Sequence, residues 1–243
     1  MSARRILVVQ SSPRNDENSI TRDVANTLIS RLVTLGCDDT LTVTRECSAL
    51  PYVDSDFIDK SMNPMKHAIT SAACAVEKKK AGSETETDDQ VWRSSWECCE
   101  ELLATDIIII AAPCYNFNIP ASLKAWIDLC CVIKRTYAFV GGGPEGLLAG
   151  KAAYIVVSTG GMDVGSAYDF GTRYLRHILS LWGITNITVV DVSHGQKTQA
   201  ADLIAGIGAL PKRREAKGKM TATEARADAA EDEDGGGEEG EED

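Results

Sequence analysis

Short apolar runs along the chain predict buried strands. Four consecutive isoleucines, Ile107–Ile110, and the run RILVVQ over residues 5–10 are typical of strands covered on both faces of a sheet. Similar runs predict further strands over residues 41–45, 152–157 and 187–192. Because such strands belong to parallel sheets, we expect the isoleucine run to form the central strand of one.

Amphipathic segments between these runs predict helices. Apolar residues recur every three or four positions from Ile20 to Leu32, and Gly36 marks the expected stop. Another helix begins at Ala121. Helices are also predicted over residues 65–80, 90–104, 168–182 and 197–207. The alternation predicts an α/β fold, a five-stranded doubly wound parallel sheet in the order 2-1-3-4-5 with helices on both faces.

Some segments between the elements are polar or rich in glycine. The polar stretch 81–89 separates two predicted helices, and we expect a surface loop there. Residues 136–139 predict a short extended piece, which is followed by VGGGPEGLLAG over residues 140–150. Since this segment follows no strong predicted strand, we interpret it as a hairpin or covering loop, not as a dinucleotide fingerprint.

Composition and charge divide the chain into a body and a tail. A length of 243 residues with 44% hydrophobic content suits one substantial core, which we assign to residues 1–210. The formal net charge is −11, and residues 224–243 hold eleven acidic residues and one basic residue. Segment 211–243 has too few apolar residues to offset its ordering entropy and is predicted to be disordered. The nearly neutral body gives no reason to expect a nucleic-acid partner.

Cysteine usage points to a reducing compartment. Eight cysteines occur without a CxxC or zinc-like spacing, and the pairs Cys98/Cys99 and Cys130/Cys131 fall in predicted helices, where vicinal disulfides are rare. We therefore expect reduced thiols and a cytoplasmic protein. The apolar run in MSARRILVVQ is too short for a signal segment or a membrane span, so we expect no membrane partner.

The candidate chemistry lies in three loops that follow strands one, three and four, whose carboxyl ends meet at one crevice in the predicted order. In the first loop, Ser12, Ser19 and Thr21 stand near a helix start, where hydroxyls and free N–H groups can hold a phosphate, and Arg22 could add charge. The alternative is that Ser19 is only an N-cap. Without GKS or GKT, a P-loop NTPase is disfavoured.

The second and third loops favour a planar ligand. Tyr115 and Phe117 offer aromatic surface and Asn116 offers hydrogen bonds, which suits an isoalloxazine; alternatively, one ring packs into the core and the asparagines cap the next helix. Gly160 and Gly161 let the backbone approach a ligand, although a left-handed turn would explain them as well. The histidines are widely separated, and no metal-ligating set or pair of catalytic carboxylates stands out.

Several motifs of the chain resemble those of the FMN-dependent NADH azoreductases, a family of flavodoxin-like NAD(P)H:quinone oxidoreductases. These motifs are PCYNFNIPASLKAWID, GPEGLLAGK and STGG, together with the SS and NSIT of the first loop. The resemblance covers about residues 4–208. It implies a flavodoxin-like homodimer with bound FMN, which transfers two electrons from NADH or NADPH to quinones or aromatic azo compounds by a ping-pong mechanism. Because the flavin carries this chemistry, no catalytic side chain is expected.

The resemblance also implies a set of cofactor contacts. The phosphate would contact Ser12, Ser19, Ile20 and Thr21. The ring and ribityl chain would contact Cys114, Tyr115, Asn116, Phe117, Ser158, Thr159, Gly160 and Gly161. The stretch near residues 81–89 and the acidic tail lie outside the family pattern and leave the substrate open. Two other functions share the fold: a one-electron flavodoxin-type carrier, and a flavin-free regulatory or scaffold protein that works through its tail.

Overall fold

Strands and helices alternate along the chain as the hydrophobic pattern predicts. The computed structural model describes residues 4–14, 18–55, 57–58, 86–195 and 197–210. The strands are β1 (Ile6–Gln10), β2 (Val43–Glu46), β3 (Ile107–Pro113), β4 (Tyr137–Val140), β5 (Gly143–Gly146), β6 (Ala152–Ser158) and β7 (Asn186–Asp191). The helices are α1 (Ile20–Thr34), α2 (Glu86–Ala104), α3 (Ala121–Cys130), α4 (Phe170–Leu181) and α5 (Lys197–Ala205).

The central sheet has the predicted strand order. Five of the described strands pair in the order β2-β1-β3-β6-β7, and each neighbouring pair is parallel. Strands β4 and β5 form a separate antiparallel pair. Counted without this hairpin, the sheet has the order 2-1-3-4-5, and the isoleucine run lies in its central strand. The prediction of a doubly wound parallel sheet is confirmed.

Side chains of alternating residues along each central strand pack on opposite faces of the sheet. Leu7 and Ile108 belong to a core cluster that includes residues of α2, α3 and α4, whereas Ile6 and Ile107 belong to a cluster with α1 and α5. All four side chains are no more than 1% exposed. This burial explains why β1 and β3 are continuously apolar in sequence and do not alternate with polar residues.

Several element boundaries differ from the prediction. Strand β2 begins at Val43, two residues later than predicted, because a 3-10 turn over Asp39–Leu41 precedes it. Asp38 caps that turn by accepting a hydrogen bond from the N–H of Thr40. Helix α2 begins at Glu86, so the second half of the polar stretch 81–89 is helical and is not a loop. The helix predicted over residues 65–80 and the tail predicted over 211–243 lie outside the described residues.

The hairpin predicted within the glycine-rich segment is formed by β4 and β5 and packs on the end of α4. The N–H of Leu148 donates to the carbonyl of Trp182 at 2.8 Å. A methyl group on Gly146 would lie 2.0 Å from the backbone nitrogen of Gly183. Gly183 itself has a φ of +85° and ends α4 as predicted. The hairpin and the helix end therefore touch backbone to backbone.

Seven cysteines lie in the described parts of the chain, and all seven are free thiols. Five of them, Cys37, Cys47, Cys98, Cys99 and Cys130, are buried. Within these same parts of the chain, no helix combines the length and the apolar character that crossing a membrane requires.

Candidate functional site

The three candidate loops lie at the carboxyl edge of the sheet, and the first residues of two of them are hydrogen-bonded to the neighbouring strand. The N–H of Ser11, after β1, donates to the carbonyl of Ala111 in β3 at 3.3 Å. The N–H of Cys114, after β3, donates to the carbonyl of Ser158 at the end of β6 at 2.7 Å. The strand order thus brings the loops together as predicted.

The first loop buries its hydroxyl groups at the start of α1. Ser12, Ser19 and Thr21 are at most 5% exposed, and the side-chain oxygens of Ser19 and Thr21 lie 3.3 Å apart. Ser19 occupies the N-cap position, but its hydroxyl makes no capping hydrogen bond to described residues of the helix. Ile20 is 39% exposed. The alternative role of Ser19 as a mere N-cap is therefore not supported, and the hydroxyls remain available for an anion at the helix start.

Arg22 does not offer a free charge to this loop. Its guanidinium forms a two-pronged ion pair with Glu46 at the end of β2, with N–O distances of 2.6 and 2.5 Å. It also donates to the backbone carbonyl of Ser12 at 3.0 Å. Since the charge is already paired, Arg22 ties the first loop to the neighbouring strand, and the expected contribution of positive charge is largely neutralised.

The second loop contains a tight two-residue turn. The N–H of Tyr115 donates to the carbonyl of Asn118 at 2.9 Å, and the N–H of Asn118 donates back to the carbonyl of Tyr115 at 3.0 Å. Between them Asn116 and Phe117 have φ angles of +50° and +67°. A left-handed backbone suits asparagine but costs about 1–2 kcal/mol at a residue such as phenylalanine. Such strain is concentrated at functional sites.

The alternative reading of the second loop is wrong. Tyr115 and Phe117 are 37% and 55% exposed, so neither ring is packed into the core. Helix α3 has Pro120 at its N-cap position, which makes no side-chain capping bond in the described structure. Asn118 accepts a hydrogen bond from the N–H of its neighbour Ile119 at 2.8 Å. The loop therefore presents aromatic surface to a space outside the core.

The glycines of the third loop do not serve a left-handed turn. Neither Gly160 nor Gly161 has a positive φ. A methyl group added at Gly160 would meet none of the described atoms within 4 Å. The N–H of Thr159 donates at 2.8 Å to the hydroxyl of Ser193, which follows β7, and the Thr159 hydroxyl donates to the carbonyl of Met162. Sequence reasoning missed Ser193, because only the pairing of β6 with β7 brings it here.

The second and third loops line a cavity of about 720 Å³. Six predicted site residues are among its lining: Cys114, Asn116, Phe117, Thr159, Gly160 and Gly161. The lining does not include Tyr115, Ser158 or the first-loop residues Ser12, Ser19, Ile20 and Thr21. It does include four residues that were not predicted: Met162, Asp163, Ser166 and Tyr168. This volume is in the range of pockets that enclose cofactor-sized or drug-sized ligands.

The buried carboxylate of Asp169 holds the loop that carries the cavity residues Ser166 and Tyr168. One of its oxygens accepts from the N–H of Gly165 at 2.8 Å, and the other caps α4 by accepting from the N–H of Thr172 at 2.9 Å. Burial, and then the charge of Asp169, raise the pKa of the Cys114 thiol. Cys114 is therefore held as a neutral thiol, which is a poor nucleophile.

Comparison with known proteins agrees with this architecture. A family model described as a flavodoxin-like fold matches residues 4–210. The chain belongs to this flavodoxin-like family. The family match confirms the predicted fold class. The resemblance to quinone oxidoreductases that the loop motifs indicate is confirmed by relatives with that name. The division into a body ending near residue 210 and a disordered tail stays a prediction.

Curated relatives of this family member carry one recurring name. A protein of Thiobacillus denitrificans, named FMN-dependent NADH:quinone oxidoreductase, is 35% identical over 191 residues, which cover 79% of the chain and 85% of the relative. FMN-dependent NADH:quinone oxidoreductase 1 of Hahella chejuensis is 36% identical over 188 residues, 77% and 83% of the two chains.

Solved structures show the same fold. An azoreductase of Bacillus anthracis matches with a TM-score of 0.64 and 20% identity, over 83% of this chain and 92% of that one. An FMN-dependent NADH-azoreductase of the same species, solved in complex with FMN, matches with a TM-score of 0.65 and 17% identity, over 82% and 95%. At these identities the likeness supports the fold alone.

Proposed function

We propose that the protein is an FMN-dependent enzyme that transfers two electrons from NADH to quinones and aromatic azo compounds. The observation that carries this proposal is the cavity of about 720 Å³ at the carboxyl edge of the sheet, lined by an exposed aromatic turn and a glycine loop. Relatives at 35–36% identity over 77–79% of the chain are named FMN-dependent NADH:quinone oxidoreductases. The azo substrates are suggested by the names of structural neighbours.

The residues present fit FMN. The buried Ser19 hydroxyl, which does not cap α1, and the first amides of that helix would hold the phosphate, together with Ser12 and Thr21. Ser166 contributes a buried hydroxyl oxygen that has no partner among described groups, and its residue lines the cavity. The open space beside Gly160 leaves room for a flat ring. The remaining contacts would come from residues 114–117 and 158–161.

FMN, when bound, would accept a hydride from NADH and supply two electrons to the acceptor. The chain would bind and orient the ring between the second and third loops. Backbone N–H groups of these loops would stabilise negative charge on the ring edge. Exposed aromatic surface at Phe117 would keep water from the reacting faces.

We further propose a ping-pong order, in which NAD⁺ leaves the cavity before the acceptor binds at the same position. Initial velocities measured against both substrates should then give parallel double-reciprocal lines, and intersecting lines would argue for a ternary complex. The same assays with NADPH would determine the donor preference. We also propose a homodimer in the cytoplasm, where the described cysteines would stay reduced.

An absorption spectrum of the purified full-length protein tests the central proposal. We expect a flavin spectrum that NADH bleaches rapidly and that a quinone restores. A protein that bleaches slowly with NADH would fit a one-electron carrier instead. A colourless protein whose melting temperature does not rise with added FMN would contradict both functions. Replacing Asn116 with leucine should lower FMN occupancy while circular dichroism shows an intact fold.

A further inference from the structure

We propose that Asp163 sets the acceptor specificity of the cavity, so that neutral or cationic aromatic acceptors are reduced in preference to anionic ones such as sulfonated quinones and azo compounds. This inference rests on the proposed function and deepens it, because it names the class of acceptor. Asp163 lines the same cavity but is not among the residues proposed to contact FMN.

The charge distribution of the cavity is one-sided. Among the described residues that line the cavity, Asp163 alone carries a charged side chain. This side chain is 91% exposed. The imidazole Nε2 of His194 lies 3.8 Å from a carboxylate oxygen of Asp163. Arg173, on α4, donates to the backbone carbonyl of Ser166 at 3.0 Å and is not part of the lining. An anionic acceptor would therefore meet a carboxylate, with no lysine or arginine among the described lining residues to offset it.

The backbone that carries Asp163 is fixed. The carbonyl of Asp163 accepts from the N–H of Ser166 at 3.1 Å, and the carbonyl of Ser166 accepts from the N–H of Asp169 at 3.1 Å. On the other side, the carbonyl of Met162 accepts from the hydroxyl of Thr159. Because its backbone is held on both sides, the carboxylate stays at the cavity even though its side chain is exposed.

Two aromatic rings define the body of the acceptor. Phe117 and Tyr168 come from different loops, and their ring centroids lie 6.2 Å apart at an interplanar angle of 46°. They are 55% and 66% exposed, and both line the cavity. Flat aromatic molecules gain most from such tilted and offset contacts with rings. The rings thus favour an aromatic acceptor, and Asp163 decides which charge that acceptor can carry.

The expected size of the effect follows from the exposure of Asp163. Exposed charge pairs change free energies by small amounts, so one carboxylate should change relative kcat/KM values about two- to fivefold. The effect must be screened by salt, because the Debye length falls from about 20–30 Å at the lowest ionic strengths to a few ångströms near 1 M.

The test compares the FMN-loaded full chain with Asp163→Asn and Asp163→Lys. The acceptors are a naphthoquinone and its sulfonated analogue, each assayed with the same NADH concentration. The measured quantity is the ratio of kcat/KM for the sulfonated to that for the neutral quinone. Asp39→Asn is the matched control, since Asp39 is an exposed carboxylate before β2, at the opposite edge of the sheet.

At low salt, we expect the ratio to rise about two- to fivefold in Asp163→Asn, and further in Asp163→Lys. The control should keep the wild-type ratio, and the differences should shrink at about 0.5 M salt. A ratio in both Asp163 variants equal to that of the control would overturn this inference alone. Rate changes that persist unchanged at high salt would also contradict it. Failure of wild-type protein to reduce either quinone would overturn the proposed function and this inference together.

Discussion

The contact between the β4–β5 hairpin and the end of α4 predicts a large effect of adding one methyl group at Gly146. The new Cβ would lie 2.0 Å from the nitrogen of Gly183 and 2.2 Å from the carbonyl carbon of Trp182. Ordinary van der Waals contact begins at 3.4 Å. Both neighbours are backbone atoms, so no side-chain rotation can relieve the clash, and the two segments must separate.

The cost can be estimated from what that separation breaks. Overpacking of this kind costs about 1–3 kcal/mol. The hydrogen bond from Leu148 to the carbonyl of Trp182, 2.8 Å long, would be lost or stretched, at about 1 kcal/mol. A total of ~3 kcal/mol lowers the melting temperature of a domain of this size by about 6–12 °C.

The assay is thermal unfolding followed by circular dichroism, at one fixed FMN concentration because bound ligand shifts the transition. Gly143→Ala is the matched control in the same strand. A methyl group there would meet none of the described atoms within 4 Å, and its φ is not left-handed. The control should be neutral or slightly stabilised, by about 0.4–1 kcal/mol. If Gly146→Ala melts within about 2 °C of Gly143→Ala, the hairpin does not pack on α4 as described.

Three further predictions concern the cavity and the core. Asp169→Asn should lower the free energy of unfolding in urea by about 1–2 kcal/mol, because the N–H groups of Gly165 and Thr172 lose a charged acceptor. It should also raise the dissociation constant of FMN. An unchanged urea midpoint would contradict this structural role of Asp169. Phe117→Gly should change the stability of the FMN-free protein by less than about 1 kcal/mol, because relief of the left-handed backbone offsets lost packing and added chain entropy, yet weaken FMN binding in a fluorescence titration. Burial raises the pKa of the Cys131 thiol from 9.0 to about 11. The folded state then keeps a proton that the unfolded state loses, so this stability is present below pH 9 and is lost as the pH rises to 11, by up to about 3 kcal/mol. Urea midpoints measured at pH 8 and pH 10.5 should fall less in Cys131→Ala than in the wild type.

The sequence determined the sheet and its loops because that information is local. Apolar runs such as Ile107–Ile110 predict strands from burial alone, and helical spacing between them predicts the crossovers. Once the strand order is known, the convergence of three loops follows from geometry. The sequence also identified Asn116 and Phe117 as candidate site residues in the second loop. It did not predict their left-handed backbone conformation.

Only the tertiary structure decided how the site is completed. Arg22 is paired with a residue 24 positions away, and Thr159 with one 34 positions away. Asp163 and Tyr168 line the cavity, and the buried Asp169 carboxylate holds the loop between them by its hydrogen bond to Gly165. No local pattern marks such residues, since an exposed aspartate or tyrosine in a loop has no periodicity. Their positions follow from contacts between segments that are distant in the chain, which only the packed sheet brings together.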